Sequence, residues 1–260
     1  MPIPSIRTIP TPTNNIIDNV LTNISVIINI LYDVLKIKKH ILYTMTFCLE
    51  STLIKPENKE KIESAVILLH GYGGDGKDIS ILSLNWKRYL PNTIFICPNG
   101  HETCLINSSG YQWFDLTKDD PDYILNETKK AENKLNIFID QIKKEYNLEN
   151  NKICLSGFSQ GCMMSINLGL ISDQEYGCIV GFSGKIINQD DLKSRKKAST
   201  PILLIHGDSD QVVSPNFMLE AKDFFIRNNI KIETHLIENC DHHIPMEASS
   251  IALEYIKKKI

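Results

Sequence analysis

Several things are missing from this chain, and each absence removes a class of protein. No apolar run is long enough to cross a bilayer as a helix, and no segment repeats. The seven cysteines contain no C-x-x-C pair, are odd in number, and several fall in apolar stretches where a thiol behaves as a small hydrophobe. That usage points to a reducing, cytoplasmic compartment and away from a disulfide scaffold. An excess of one charge is lacking too: 28 basic against 31 acidic residues exert no pull on nucleic acid. The glycine-rich stretch Gly71 to Asp78 lacks the Gly-Lys-Ser/Thr ending of a phosphate-cradling loop, with Asp78 standing where a hydroxyl is needed. With 260 residues, 42% of them hydrophobic, the chain has enough apolar material for a full core.

The apolar residues are arranged as an alternation. Strand-like runs appear at about 47–54, 65–70, 93–98, 152–156, 177–183, 201–206 and 231–238. Helical patterns separate most of them. The clearest covers about 126–147, where Ala131, Leu135, Phe138, Ile142 and Tyr146 form one stripe among lysines and glutamates. Alternating strands and helices predict an α/β protein, a mostly parallel central sheet with helices on both faces. Residues 99–122 have no clear period and suggest a small cap or pocket wall.

The densest signal lies at Lys152 to Gly161. A buried-strand run turns sharply through Gly157-Phe158-Ser159-Gln160-Gly161 into Gln160 to Ile171, where Met163, Met164, Leu168 and Ile171 recur at helical spacing. Strand, turn and helix are the context that makes G-x-S-x-G a nucleophile elbow, with Ser159 exposed on a strained turn. A serine hydroxyl needs an imidazole to take its proton and a carboxylate to orient that imidazole. Two strand ends supply them: Ile205-His206-Gly207-Asp208-Ser209-Asp210, and Cys240-Asp241-His242-His243-Ile244-Pro245 after the run at 231–238. Cys240, Asp241, His242 and His243 are also metal-ligand types, but four adjacent residues cannot all face one ion.

These motifs carry a resemblance. From about Met45 onward the chain resembles the phospholipase/carboxylesterase family of α/β-hydrolases, which includes the acyl-protein thioesterases. The matching pieces are Leu69-His70-Gly71-Tyr72-Gly73-Gly74, Gly110-Tyr111-Gln112-Trp113-Phe114-Asp115, Gly157 to Gly161, His206 to Val213, and His242-x-Ile-Pro. The order serine, aspartate, histidine is that of an α/β-hydrolase. The resemblance implies an α/β-hydrolase fold, with Ser159 as nucleophile, Asp210 as acid and His242 as base. Asp208 is the alternative acid and His243 the alternative base. Asp241 stands where the family usually has glycine, and the x-Ile-Pro register favours His242. The family also implies an oxyanion hole built from the backbone N–H groups of Tyr72 and Gln160. Trp113 and Phe114 are candidate acyl-pocket residues, with plain core the other reading. The implied activity is hydrolysis of carboxylic esters or acyl-thioesters, on small molecules or acylated proteins, through an acyl-serine intermediate. Lysophospholipid or amide hydrolysis, or a silent scaffold, are alternatives. No metal, organic cofactor or nucleic acid is implied.

Residues 1–44 lie outside the resemblance and form an expected N-terminal extension to a catalytic domain at 45–260. Pro2, Pro4, Pro10 and Pro12 predict a disordered tip. Beyond it, Ile17, Leu21, Ile24, Ile28, Leu31 and Leu35 recur every three or four residues, an amphipathic helix of about five turns. It has neither the basic start nor the small-residue cleavage site of a signal peptide. Its apolar stripe over residues 16–37 has three possible partners: its own domain, a second copy in a homodimer, or a membrane surface. A chain beginning at Met45 is expected to be soluble and to keep most of its activity on short esters. Aggregation or loss of p-nitrophenyl ester hydrolysis would move the domain boundary upstream.

Overall fold

The structure, a computed structural model, describes residues 47–56 and 62–260. The expected tip and helix of the extension lie outside the described residues. In chain order the strands are β1 (Ser51–Ile54), β2 (Ser64–Leu69), β3 (Thr93–Pro98), β4 (Glu102–Thr103), β5 (Tyr111–Gln112), β6 (Ile153–Phe158), β7 (Cys178–Phe182), β8 (Ile202–Gly207) and β9 (Ile232–Ile237). The helices are α1 (Gly76–Ile79), α2 (Ile81–Trp86), α3 (Pro121–Tyr146), α4 (Gln160–Ile171), α5 (Gln189–Arg195), α6 (Asn216–Arg227) and α7 (Met246–Lys257).

Seven strands form one sheet in the order β1-β3-β2-β6-β7-β8-β9. Only β1 runs antiparallel to its neighbour. The five central strands from β3 to β8 are buried along their whole length, with Phe158 at the tip of β6 the one partial exception. A parallel sheet covered on both faces needs such uniformly apolar runs. Alternate residues separate into two cores. Ala65, Ile67 and Leu69 face the layer of α3, α4 and α6, while Val66 and Leu68 face Trp86, Ala252 and Ile256 from α2 and α7. This is the α/β-hydrolase fold, with every strand-like run of the sequence present in the sheet. Among the described residues no helix is long and apolar enough to cross a membrane.

The longest helix follows from its ends. The Asp120 side chain accepts from the N–H groups of Asp122 at 3.0 Å and Tyr123 at 3.1 Å, with Pro121 in the first turn. Asn147 closes the helix in the left-handed region at φ 52°. The helix predicted over 126–147 therefore begins five residues earlier, at Pro121. The aperiodic segment 99–122 contains one feature the sequence did not reveal, the β4–β5 hairpin. Its strands have two residues each, too few to show an alternation.

One buried charge cluster joins three helices. Glu132 on α3, 3% exposed, accepts from the Arg195 guanidinium at 2.8 and 3.1 Å and from Asn167 Nδ2 on α4 at 3.0 Å. Arg195 also pairs with Asp191 on its own helix, and Lys129 reaches Asp191 at 3.1 Å. Breaking such a pair from one side leaves an uncompensated charge. Glu132→Ala should destabilise the fold by about 2 kcal/mol, below the full buried-pair value because the Arg195 side chain is 28% exposed and can be hydrated. Thermal melting should show a fall of roughly 4–8 °C. An unchanged Tm would mean that the cluster contributes no net stability.

Candidate active site

Ser159 occupies the turn between β6 and α4 with φ 53° and ψ −114°, a left-handed conformation that a serine adopts only under strain. The surroundings enforce it. The Ser159 N–H donates to Phe182 O at 2.8 Å, which ties the turn to β7. A Cβ on Gly157 would fall on the carbonyl of Gly161, and one on Gly161 would fall on the carbonyl of Leu69. The glycines at both positions let α4 start directly against β2 and β6, which forces the elbow between them.

Three loop residues meet above the ends of the strands. The Ser159 hydroxyl lies 3.0 Å from His242 Nε2, and His242 Nδ1 lies 2.7 Å from Asp210 Oδ2. His242 stands between β9 and α7, Asp210 just after β8. The Phe158 ring packs against the imidazole with centroids 4.7 Å apart. His243, the alternative base, is turned away and pairs with Asp241. Asp208, the alternative acid, bonds the Ser209 hydroxyl at 2.7 Å and the Cys240 N–H at 3.3 Å, so it closes the local turn.

The Asp210 carboxylate is fully coordinated. Oδ1 accepts from the N–H groups of Val212 at 2.9 Å and Val213 at 2.8 Å, while Oδ2 takes His242 Nδ1–H. His206 Nε2 lies 3.3 Å from the same Oδ2 and 2.8 Å from Val213 O. Because a carbonyl can only accept, the proton of His206 is on Nε2. Burial alone would raise the carboxyl's pKa. The donors from His242, Val213 and Val212 outweigh it and hold Asp210 ionised below its ordinary range.

The turn after β2 is held just as closely. His70, 1% exposed, accepts from the Gly100 N–H at Nε2, 2.8 Å, and its Nδ1–H donates to Gly71 O at 2.7 Å. Trp113 Nε1–H donates to His70 O at 2.9 Å and its ring stacks on the imidazole at 5.0 Å. Tyr72 follows, and the Gly73 N–H bonds Tyr111 O at 2.9 Å in β5. Gln160 is the first residue of α4, so its N–H has no acceptor within the helix. The Gln160 side chain accepts from the Trp113 N–H at 2.8 Å and donates to Phe114 O at 2.6 Å. The residue after the serine and the Trp-Phe pair thus form one clamp.

A cavity of about 490 Å³ opens at Ser159, walled by Phe114, Leu116, Ile124, Met163, Ile187 and Val213. Phe114 lines it. Trp113 does not: its indole is spent beneath the His70 turn, fully buried, and only the core reading fits it. A second cavity of about 400 Å³ lies on the other side of Tyr72, Phe158 and His242, against Ile79 and Leu82. His70, His206 and the Gln160 side chain were not singled out in the sequence for these roles. The available signal was their position, since both histidines end a buried strand and Gln160 adjoins the serine.

Comparison with known proteins gives the family of the chain. The family model described as Phospholipase/Carboxylesterase matches residues 51–260. Acyl-protein thioesterase 1 of Yarrowia lipolytica is 28% identical over 217 residues, covering 76% of this chain and 92% of that protein. Its namesake in Saccharomyces cerevisiae is 28% identical over 211 residues, covering 75% and 92%. The crystal structure of esterase PE8 superposes with a TM-score of 0.78 at 31% identity, over 82% of this chain and 99% of that one. Arabidopsis thaliana SOBER1, at 21% identity and a TM-score of 0.67 over 76% and 99%, shares the fold.

The two positioning histidines make stability depend on pH. Burial lowers the pKa of both His70 and His206, against smaller opposing effects from the carbonyls and carboxylates around them. Each is therefore neutral when folded, whereas the unfolded chain takes up protons below about pH 6.5. Their contribution is complete above that pH and is lost as pH falls below it. Tm should be lower at pH 5.5 than at 7.5, and the difference should shrink in His70→Gln and in His206→Gln. An equal pH dependence in both variants would show that these imidazoles are not held neutral.

Proposed function

Since the chain belongs to the phospholipase/carboxylesterase family of α/β-hydrolases, we propose that it hydrolyses carboxylic ester or acyl-thioester bonds through an acyl-serine intermediate. The supporting observation is the unbroken relay Ser159–His242–Asp210, with contacts of 3.0 and 2.7 Å. In this reading Ser159 Oγ attacks the acyl carbon and passes its proton to His242 Nε2. Asp210 holds Nδ1–H and stabilises the imidazolium without taking the proton. Charge then gathers on the carbonyl oxygen, where the N–H groups of Tyr72 and Gln160 are the proposed donors. Each such donor contributes about 3 kcal/mol to lowering the barrier. His242 protonates the departing thiolate or alkoxide, then activates the water that releases the acid and restores Ser159. The cavity lined by Phe114 and Met163 takes the acyl chain, and the space beyond Tyr72 and His242 takes the leaving group.

The relatives named acyl-protein thioesterase 1 extend the reading to acyl groups carried on proteins. A cytoplasmic location belongs to the same reading, and all seven cysteines being unpaired supports it. Residues 1–44 stay an extension to a catalytic domain at 45–260, with homodimer or membrane-surface contact through 16–37 as its proposed use.

Ser159→Ala should fold normally and lose hydrolysis by several orders of magnitude, on the order of 10⁴–10⁶ as for nucleophile removal elsewhere. A fluorophosphonate should label wild type and spare this variant. His242→Ala should match it, while His243→Ala keeps most activity. Labelling of the Ser159→Ala protein would overturn the nucleophile, reversed histidine losses would overturn the base, and an unlabelled wild type would favour a scaffold.

A further inference from the structure

Lys185 stands in the wall of the Ser159 cavity and has no ionic partner among the described residues. It follows β7 by three residues. Ser183 adopts φ 49° and Gly184 lies hard against the Cys162 side chain of α4, leaving no room for a Cβ there. The backbone before Lys185 is therefore fastened to the helix that carries the elbow, and the lysine is directed to the cavity, where it is half-buried. Its ammonium lies 4.8 Å from the centroid of the Phe217 ring at the start of α6. No carboxylate pairs with it among the described residues. Asp119 is the one acidic residue of the same wall and forms no ion pair with it. Two other half-buried cations do have carboxylates: Arg195 takes Glu132 and Asp191, and Lys129 takes Asp191.

A cation over an aromatic face keeps only part of what it loses on leaving water. Apart from Asp119 and the polar residues at the serine, the wall is apolar, so a purely hydrocarbon substrate in the cavity offers the ammonium no counter-charge. An anionic group on the substrate would complete it by a charge-assisted hydrogen bond. We infer that Lys185 is a specificity residue that selects substrates carrying a carboxylate or phosphate inside the Ser159 cavity. This inference rests on the hydrolase reading of the same site. The acyl chain is the favoured carrier, because the cavity runs from Ser159 along Gln160 and Met163, away from the leaving-group side of His242. A dicarboxylic acid joined through one carboxyl has the required chemistry. A phosphate on the leaving alcohol is the other source of the same anion.

Two matched substrate pairs separate these sources. 4-Methylumbelliferyl valerate and hemiglutarate differ by a carboxylate in place of the terminal methyl, and 1-butanoylglycerol and its 3-phosphate differ in the leaving group. Their kcat/KM values are compared in wild type, Lys185→Met, Lys185→Glu and Lys185→Arg. The hemiglutarate-to-valerate ratio should fall at least about tenfold in Lys185→Met, the scale of one charge-assisted contact, and further in Lys185→Glu. Lys185→Arg should retain it. A fall confined to the glycerophosphate pair would keep the anion and assign it to the leaving group. Ratios that do not move in any variant, while valerate is still hydrolysed, would overturn the role of Lys185 alone. No hydrolysis of any of the four esters by wild type would overturn the hydrolase reading and this inference with it.

Discussion

Ser159 has to sit with φ 53° at the tip of a parallel sheet, and much of the molecule is organised around holding it there. A non-glycine residue in that region costs on the order of 1–3 kcal/mol and persists only where its surroundings leave no alternative. Here they leave none. The carbonyl of Leu69 closes over Gly161, the carbonyl of Gly161 closes over Gly157, and β7 holds the Ser159 N–H. The buried strands on either side provide the rigidity, because a close-packed interior cannot shift to relieve a single turn. Strain at the elbow is thus sustained by packing far below it.

A second constraint follows from the first. A hydroxyl fixed in space reacts only if its base is fixed as well, and His242 is carried on a loop. Its orientation comes from Asp210, which two backbone N–H groups of its own turn and the His206 ring immobilise in turn. The carboxylate is fully buried while the imidazole keeps 17% of its side-chain surface exposed. That gradient suits the chemistry: the permanent charge stays hidden and coordinated, and the group that moves protons faces the cavity. The same logic holds on the opposite wall, where neutral His70 acts as a strut between Gly100 and Gly71.

The parts legible in the sequence were those whose signal is local. Buried parallel strands read as short apolar runs, and residues 153–158, 178–182 and 202–207 appeared where those runs are. Ser159, Asp210 and His242 stood out because each follows such a run and carries a chemically distinctive side chain. The remainder depends on pairs distant along the chain. His70 meets Gly100 across 30 positions, Gln160 meets Trp113 across 47, and no spacing rule announces either. Trp113 was left open between pocket and core because an aromatic residue beside Phe114 suits both equally. Its indole hydrogen bond to the His70 carbonyl decides the matter, and that bond exists only in three dimensions. The β4–β5 hairpin escaped for a different reason: two residues per strand carry no period.

Gln160 joins these threads. Its backbone opens α4 beside the serine, and its side chain bonds both the Trp113 N–H and the Phe114 carbonyl. Trp113 in turn supports the turn that carries Tyr72, so both proposed oxyanion donors and one wall of the cavity hang on a single side chain. Replacing it would loosen all three together, which leaves little freedom to vary that side of the site. On the far wall the Lys185 and Ile187 side chains have no such duty to the elbow, and Val212 and Val213 are tied to Asp210 through their backbone N–H groups. Substrate preference can change through the side chains of that wall without disturbing the relay, and there the chain places a cation that has no carboxylate partner among the described residues.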